Sequence, residues 1–144
     1  MTGAIPAWVE CYRGKPFRRD ADGPDAYDCY GLVRAALRNE WGLDTPALDG
    51  AWHLEAAQSL LAALGATDSP WIELRGEAQP GDVLVFLGVP GVELHVGIVV
   101  APGWMLHARE DHGVETSRLD RPAVAATRHT SHFRHRGMVR GACR

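Results

Sequence analysis

Residues 94–110 read LHVGIVVAPGWMLHARE, two apolar, β-rich stretches on either side of Ala-Pro-Gly, and the rest of the chain is best read outward from them. Strand side chains alternate between faces, so Leu94, Val96, Ile98 and Val100 share one side and His95, Gly97 and Val99 the other. The Ala101, Pro102 and Gly103 break makes the pair a hairpin. If all three form the loop, Val100 opposes Trp104 and Gly97 opposes His107, which puts His95 and His107 on one face as diagonal neighbours. A two-residue loop of Pro102 and Gly103 reverses the parity and separates them. Turn geometry decides which holds.

The same β-branched and aromatic character recurs in WIEL (71–74), DVLVFL (82–87) and GVETSRL (113–119), while SHFRHRG (131–137) either adds a strand or trails away. Before Pro70 the spacing is helical. Ile5, Trp8, Val9 and Tyr12 predict a short helix ended by Gly14 and Pro16. YDCYGLVRAAL (27–37) opens a second, from about Asp28 to Trp41, with Cys29, Leu32, Val33, Ala36 and Leu37 on one stripe, Asp28 as N-cap and Gly42 as C-terminal cap. A third is predicted between Asp49 and Gly65, and RPAVAAT (121–127) suggests a further short one. Residues 15–27, KPFRRDADGPDAY, have turn composition and lead as a surface loop into Cys29. Helices first and strands later predict an α+β fold, N-terminal helices packed on an antiparallel sheet.

At 144 residues the chain is expected to form one domain, residues 1–144, with its own core. Hydrophobic residues at 46% and charged ones at 23% are ordinary for a globular protein, which argues against disorder or a fibre. The longest apolar run is far short of the roughly 20 residues of a membrane span, and the amino terminus does not read as a signal peptide. Three cysteines without a C-x-x-C pair argue against a disulfide framework or a zinc ribbon. The net charge of −3 hides an asymmetry: from residue 117 onward seven arginines face one acid, against eight basic and seventeen acidic residues before it. That basic C-terminal segment is expected to be a solvated end or a docking surface dispensable for catalysis. No nucleic-acid recognition motif accompanies it.

Three residues carry the candidate chemistry. Cys29 in the first turn of a capped helix meets free N–H groups and the positive end of the helix dipole, which favour a thiolate. His95 and His107 can supply a base and a group that orients it. The helix opening at Cys29 is then expected to pack on the histidine side, its amino end over Gly97. Asp28 would turn its carboxylate to the helix N–H groups and away from sulfur, and the Cys29 N–H is a candidate oxyanion donor. A lone helical cysteine or strand histidine is ordinarily structural, and Cys11, Cys143, His53 and His112 are read that way. The wide spacing of the trio is unlike a zinc motif, and HTSHFRH (129–135) carries only weak metal potential.

DCYGLV around Cys29, QPGDVLVF (79–86), HVGIVV around His95 and MLHA around His107 together resemble the NlpC/P60 family of papain-like cysteine peptidases, over most of the chain. The resemblance implies a Cys-His-His triad of Cys29, His95 and His107 acting on peptidoglycan stem peptides, without metal or organic cofactor. It also implies substrate contacts near Phe17, Tyr30 and Gly97. Tyr30 after the cysteine, with GPDAY before it, is similar to the branch carried as tail components by tailed phages and gene transfer agents. That branch implies tail-tip (hub or baseplate) partners and an enzyme made in the cytoplasm and acting in the cell envelope. Phe17 in GKPF stands where many relatives have tyrosine. Two other readings remain open: a tail-tip structural or assembly protein with little hydrolase activity, and a papain-like amidase or acyltransferase.

Overall fold

The computed structural model describes residues 3–45, 71–89, 92–121 and 128–141. A 3-10 helix, Ala7–Cys11, precedes helix α1, Cys29–Trp41. Strands β1 (Trp71–Leu74), β2 (Val83–Val89), β3 (Val92–Ala101), β4 (Trp104–Arg109), β5 (Gly113–Arg118) and β6 (Arg128–His135) follow, and α2 (Arg136–Gly141) ends the described chain. The predicted helix between Asp49 and Gly65 and most of RPAVAAT lie outside the described residues. The six strands form one antiparallel sheet in the order β1-β6-β2-β3-β4-β5. This is the α+β architecture that the order of helices and strands predicts.

Both caps of α1 form where the sequence sets them. The Asp28 side chain accepts from the Gly31 N–H, and Gly42 adopts the left-handed conformation that closes a helix with no Cβ penalty. Leu32, Val33, Ala36 and Leu37 are buried against Val83, Val85, Val96, Ile98, Leu106 and Ala108. That cluster is the main core. A smaller one, Leu84, Phe86, Val99 and Met105, lies on the opposite side of the sheet.

The hairpin differs from either simple loop. Ala101 pairs with Trp104, so the turn is the two residues Pro102 and Gly103, with Gly103 at φ 82°. Taken alone, this loop would separate the histidines. The register shifts between Val99 and Ala101, however, so that Val99 faces Met105 and Ile98 faces Leu106. The extra residue, Val100, restores the lost parity, and continuing the register sets Gly97 across from His107. A bulge does what a three-residue loop is expected to do.

Two further expectations are corrected. Helix α1 packs on the face of Val96 and Ile98, not on the histidine face. Six consecutive apolar positions from Val96 to Ala101 are buried, so both faces of β3 need cover, and alternation cannot tell which one the helix supplies. The basic end is also no appendage: β6 is inserted between β1 and β2, and its Arg134 is spent inside the fold.

Candidate active site

Cys29 opens α1 and is only 5% exposed. The backbone N–H groups of Val96, Tyr30 and Cys29 itself are near enough to the sulfur to favour its thiolate. The first of these sets the sulfur beside the peptide that joins His95 to Val96. The helix and the histidines therefore meet through the backbone of β3, although they occupy different faces of the sheet.

Asp28 holds this end of the helix by two bonds. One oxygen accepts from Gly31 N–H, and the other accepts from Asp20 N–H at 2.8 Å, in the loop before the helix. The carboxylate is thus directed at N–H groups, as expected. The loop itself lies so close that a methyl added at Gly31 would fall on the Ala21 carbonyl oxygen. Gly31 is what lets the loop cross the first turn.

On the other face, His95 Nε2 and His107 Nδ1 share a hydrogen bond of 2.8 Å, with the ring centroids 5.0 Å apart and the planes 66° apart. Phe86 flanks His95, its ring centroid 5.5 Å away. His107 Nε2 in turn lies 2.8 Å from Ser117 Oγ and 3.4 Å from Glu115 Oε1, and that carboxylate is held by Arg109 Nε at 2.6 Å. Met105 and His107 crowd Gly97: a Cβ there would stand 2.7 Å from Met105 Cγ and 3.2 Å from His107 Cβ.

Burial outweighs the helix dipole in setting the protonation states. Loss of water pushes the Cys29 thiol up to about 12, helped by the Asp28 charge and opposed by the three backbone donors. Loss of water also lowers His95 to about 4 and His107 to about 3, with Arg109 acting in the same direction on both. Burial thus works against the thiolate that the helix start favours, and against protonation of either imidazole.

Of the expected site residues, the structure brings His95 and His107 together and sets Cys29 at the backbone between His95 and Val96. Tyr30, expected to meet substrate, is 4% exposed and packs in the main core, on the inward side of the first turn. Phe17 packs half-buried against the cluster that contains Cys29. Gly97 makes room for Met105 and His107. Sequence reasoning missed Ser117, Glu115 and Arg109. Their signal was available: GVETSRL as a hairpin partner of MLHAR puts Glu115 opposite His107 and Ser117 two residues along on the same face.

The sequence model of the NlpC/P60 family matches residues 14–134. The chain belongs to the NlpC/P60 family. Among curated relatives it is 30% identical over 116 residues to the probable endopeptidase p60 of Listeria grayi, covering 81% of this chain and 19% of that protein. The chain thus spans about a fifth of the length of the curated relatives it matches. Among solved structures it superposes on an NlpC/P60 family lipoprotein-like protein of Staphylococcus aureus with a TM-score of 0.59 at 22% identity, over 86% of this chain and 38% of that one. It also superposes on the NlpC/P60 domain of the peptidoglycan hydrolase SagA, TM-score 0.50 at 23% identity, over 78% of this chain and 85% of that one. These likenesses establish the NlpC/P60 fold.

Proposed function

We propose that this NlpC/P60 chain is a cysteine endopeptidase that hydrolyses peptidoglycan stem peptides, with Cys29 as nucleophile, His95 as base and His107 as the group that holds it. The observation that carries the reading is the hydrogen-bonded imidazole pair of β3 and β4, with Cys29 opening the helix that packs on the other face of β3. His95 commits Nε2 to His107, which leaves Nδ1 to take the thiol proton as sulfur attacks the amide carbonyl. The proton moves at the moment of attack, since burial disfavours charge on either partner beforehand. The Cys29 backbone N–H is the candidate donor to the developing oxyanion. The imidazolium then protonates the leaving amine, and water, giving a proton back to His95, hydrolyses the thioester. The reading is supported by family membership and by likeness to a probable endopeptidase and to the peptidoglycan hydrolase SagA.

We place the enzyme at the tail tip of a phage-like particle or gene transfer agent, on the resemblance of GPDAY-DCYG to that branch. The deciding experiment incubates the protein with purified peptidoglycan and identifies released peptides by mass spectrometry, with Cys29→Ala as control. New peptide termini from the wild type alone support hydrolysis; none from either protein leaves the fold in an assembly role. Detection of the chain in purified particles tests the location.

A further inference from the structure

The hydrogen-bonded chain does not stop at His107. Its Nε2 faces two oxygens, Ser117 Oγ at 2.8 Å and Glu115 Oε1 at 3.4 Å. A hydroxyl can donate or accept, so Ser117 alone leaves the proton's place open; an ionised carboxylate only accepts. Arg109 Nε, 2.6 Å from Glu115 Oε1, holds that carboxylate in place. The nitrogen facing Glu115 is therefore the one that carries hydrogen, and Ser117 accepts from it. With Nε2 protonated, His107 Nδ1 is a lone pair and must accept from His95 Nε2–H. That leaves His95 Nδ1 bare. The opposite arrangement, with Ser117 donating, would protonate both Nδ1 atoms, aim a His107 lone pair at the carboxylate and disable the base.

We propose that Glu115, assisted by Ser117 and pinned by Arg109, is a positioning residue that fixes the tautomers of His107 and His95 so that His95 presents an unprotonated Nδ1 to Cys29. The proposal rests on the reading of Cys29 and His95 as nucleophile and base. Arg109 also balances the carboxylate charge, so that Glu115 orients the relay without turning His107 into a standing cation. Glu115 is well placed for this because β5 sets it directly across from His107.

The test is a long-range proton–nitrogen correlation spectrum of protein with 15N-labelled histidine at pH 7, which reads the tautomer of each ring without any substrate. Wild type is expected to carry Nε2–H on both His95 and His107. Glu115→Gln presents an amide that donates into Nε2, so both rings should move to Nδ1–H, with kcat on peptidoglycan falling about 10- to 100-fold and KM within about twofold. Ser117→Ala should keep the wild-type tautomers and lose only severalfold in kcat. A wild-type spectrum with His107 protonated on Nδ1 overturns the proposal whether or not any variant folds. So does a folded Glu115→Gln with unchanged tautomers and rate. Absence of peptidoglycan turnover in a wild type carrying the expected tautomers sinks the functional reading and leaves the relay standing.

Discussion

At the scale of single residues, burial disfavours charge on Cys29, His95 and His107 alike. Cys29→Ala trims one buried atom, so it should abolish turnover while circular dichroism and melting stay near wild type; residual turnover on the same peptides would remove Cys29 from the mechanism. His95→Ala should cost about 10³-fold and His107→Ala about 10- to 100-fold, because water can replace an orienting group more readily than a base. The pH dependence follows from the lowered histidines. The base must be unprotonated, so kcat/KM should stay level through neutral pH and fall only as pH drops through about 4. An acid limb near the ordinary imidazole value of 6.5 would mean that burial does not lower His95. Stability carries the matching sign: unfolded histidines gain protons below about 6.5 and the buried ones do not, so the melting temperature should decline from there downward. His107→Asn should flatten that decline, and melting curves at each pH separate unfolding from titration of the base.

At the scale of elements, α1 and the β3–β4 hairpin position everything the residues use. The helix was legible because its periodicity and both caps are local: Asp28 and Gly42 act on the backbone within a few positions. The turn was legible only to within one residue, since Pro102 and Gly103 mark a tight turn and nothing in Val99, Val100 and Ala101 marks a bulge. Which face α1 covers was not legible, because a strand buried on both sides looks apolar throughout. The depth of Cys29 was hidden for the same reason; burial depends on the sheet and the loop over the helix, and it reverses the pKa direction that the helix dipole suggests. Gly31 offers the test at this scale. Gly31→Ala should displace the residue 18–22 loop from the first turn, lower the melting temperature and raise iodoacetamide labelling of Cys29, whereas Ala35→Gly in the middle of α1 should cost only about 1 kcal/mol. Equal effects would mean the loop does not seal the sulfur.

At the scale of the whole molecule, β6 joins the two ends of the chain's chemistry into one fold. Arginine content alone reads as a solvated tail, because sequence gives charge without partners; the partner is Asp82, fully buried and 52 residues upstream. Arg134 clasps both its oxygens at 2.7 and 2.9 Å, His132 Nε2 lies 3.2 Å from one of them, and the Gln79 N–H donates to it at 2.8 Å. Asp82 immediately precedes β2, which carries Phe86 beside His95. Ending the chain at Ser117 would strip β1 of its neighbour in the sheet, expose an edge of β2 and leave the Asp82 carboxylate buried without its cation. A charge orphaned in that way costs about 3 to 5 kcal/mol, a large part of the roughly 5 to 15 kcal/mol that holds a domain together. The truncated chain should therefore lack a cooperative melt and any turnover, on small peptides as on peptidoglycan. Arg134→Ala should show the electrostatic share alone, and Arg134→Ala with Asp82→Asn should melt higher than Arg134→Ala by itself, since no unpaired buried charge remains. A truncated protein that melts cooperatively and cleaves small peptides, or a double variant no more stable than the single one, would return the basic segment to the surface.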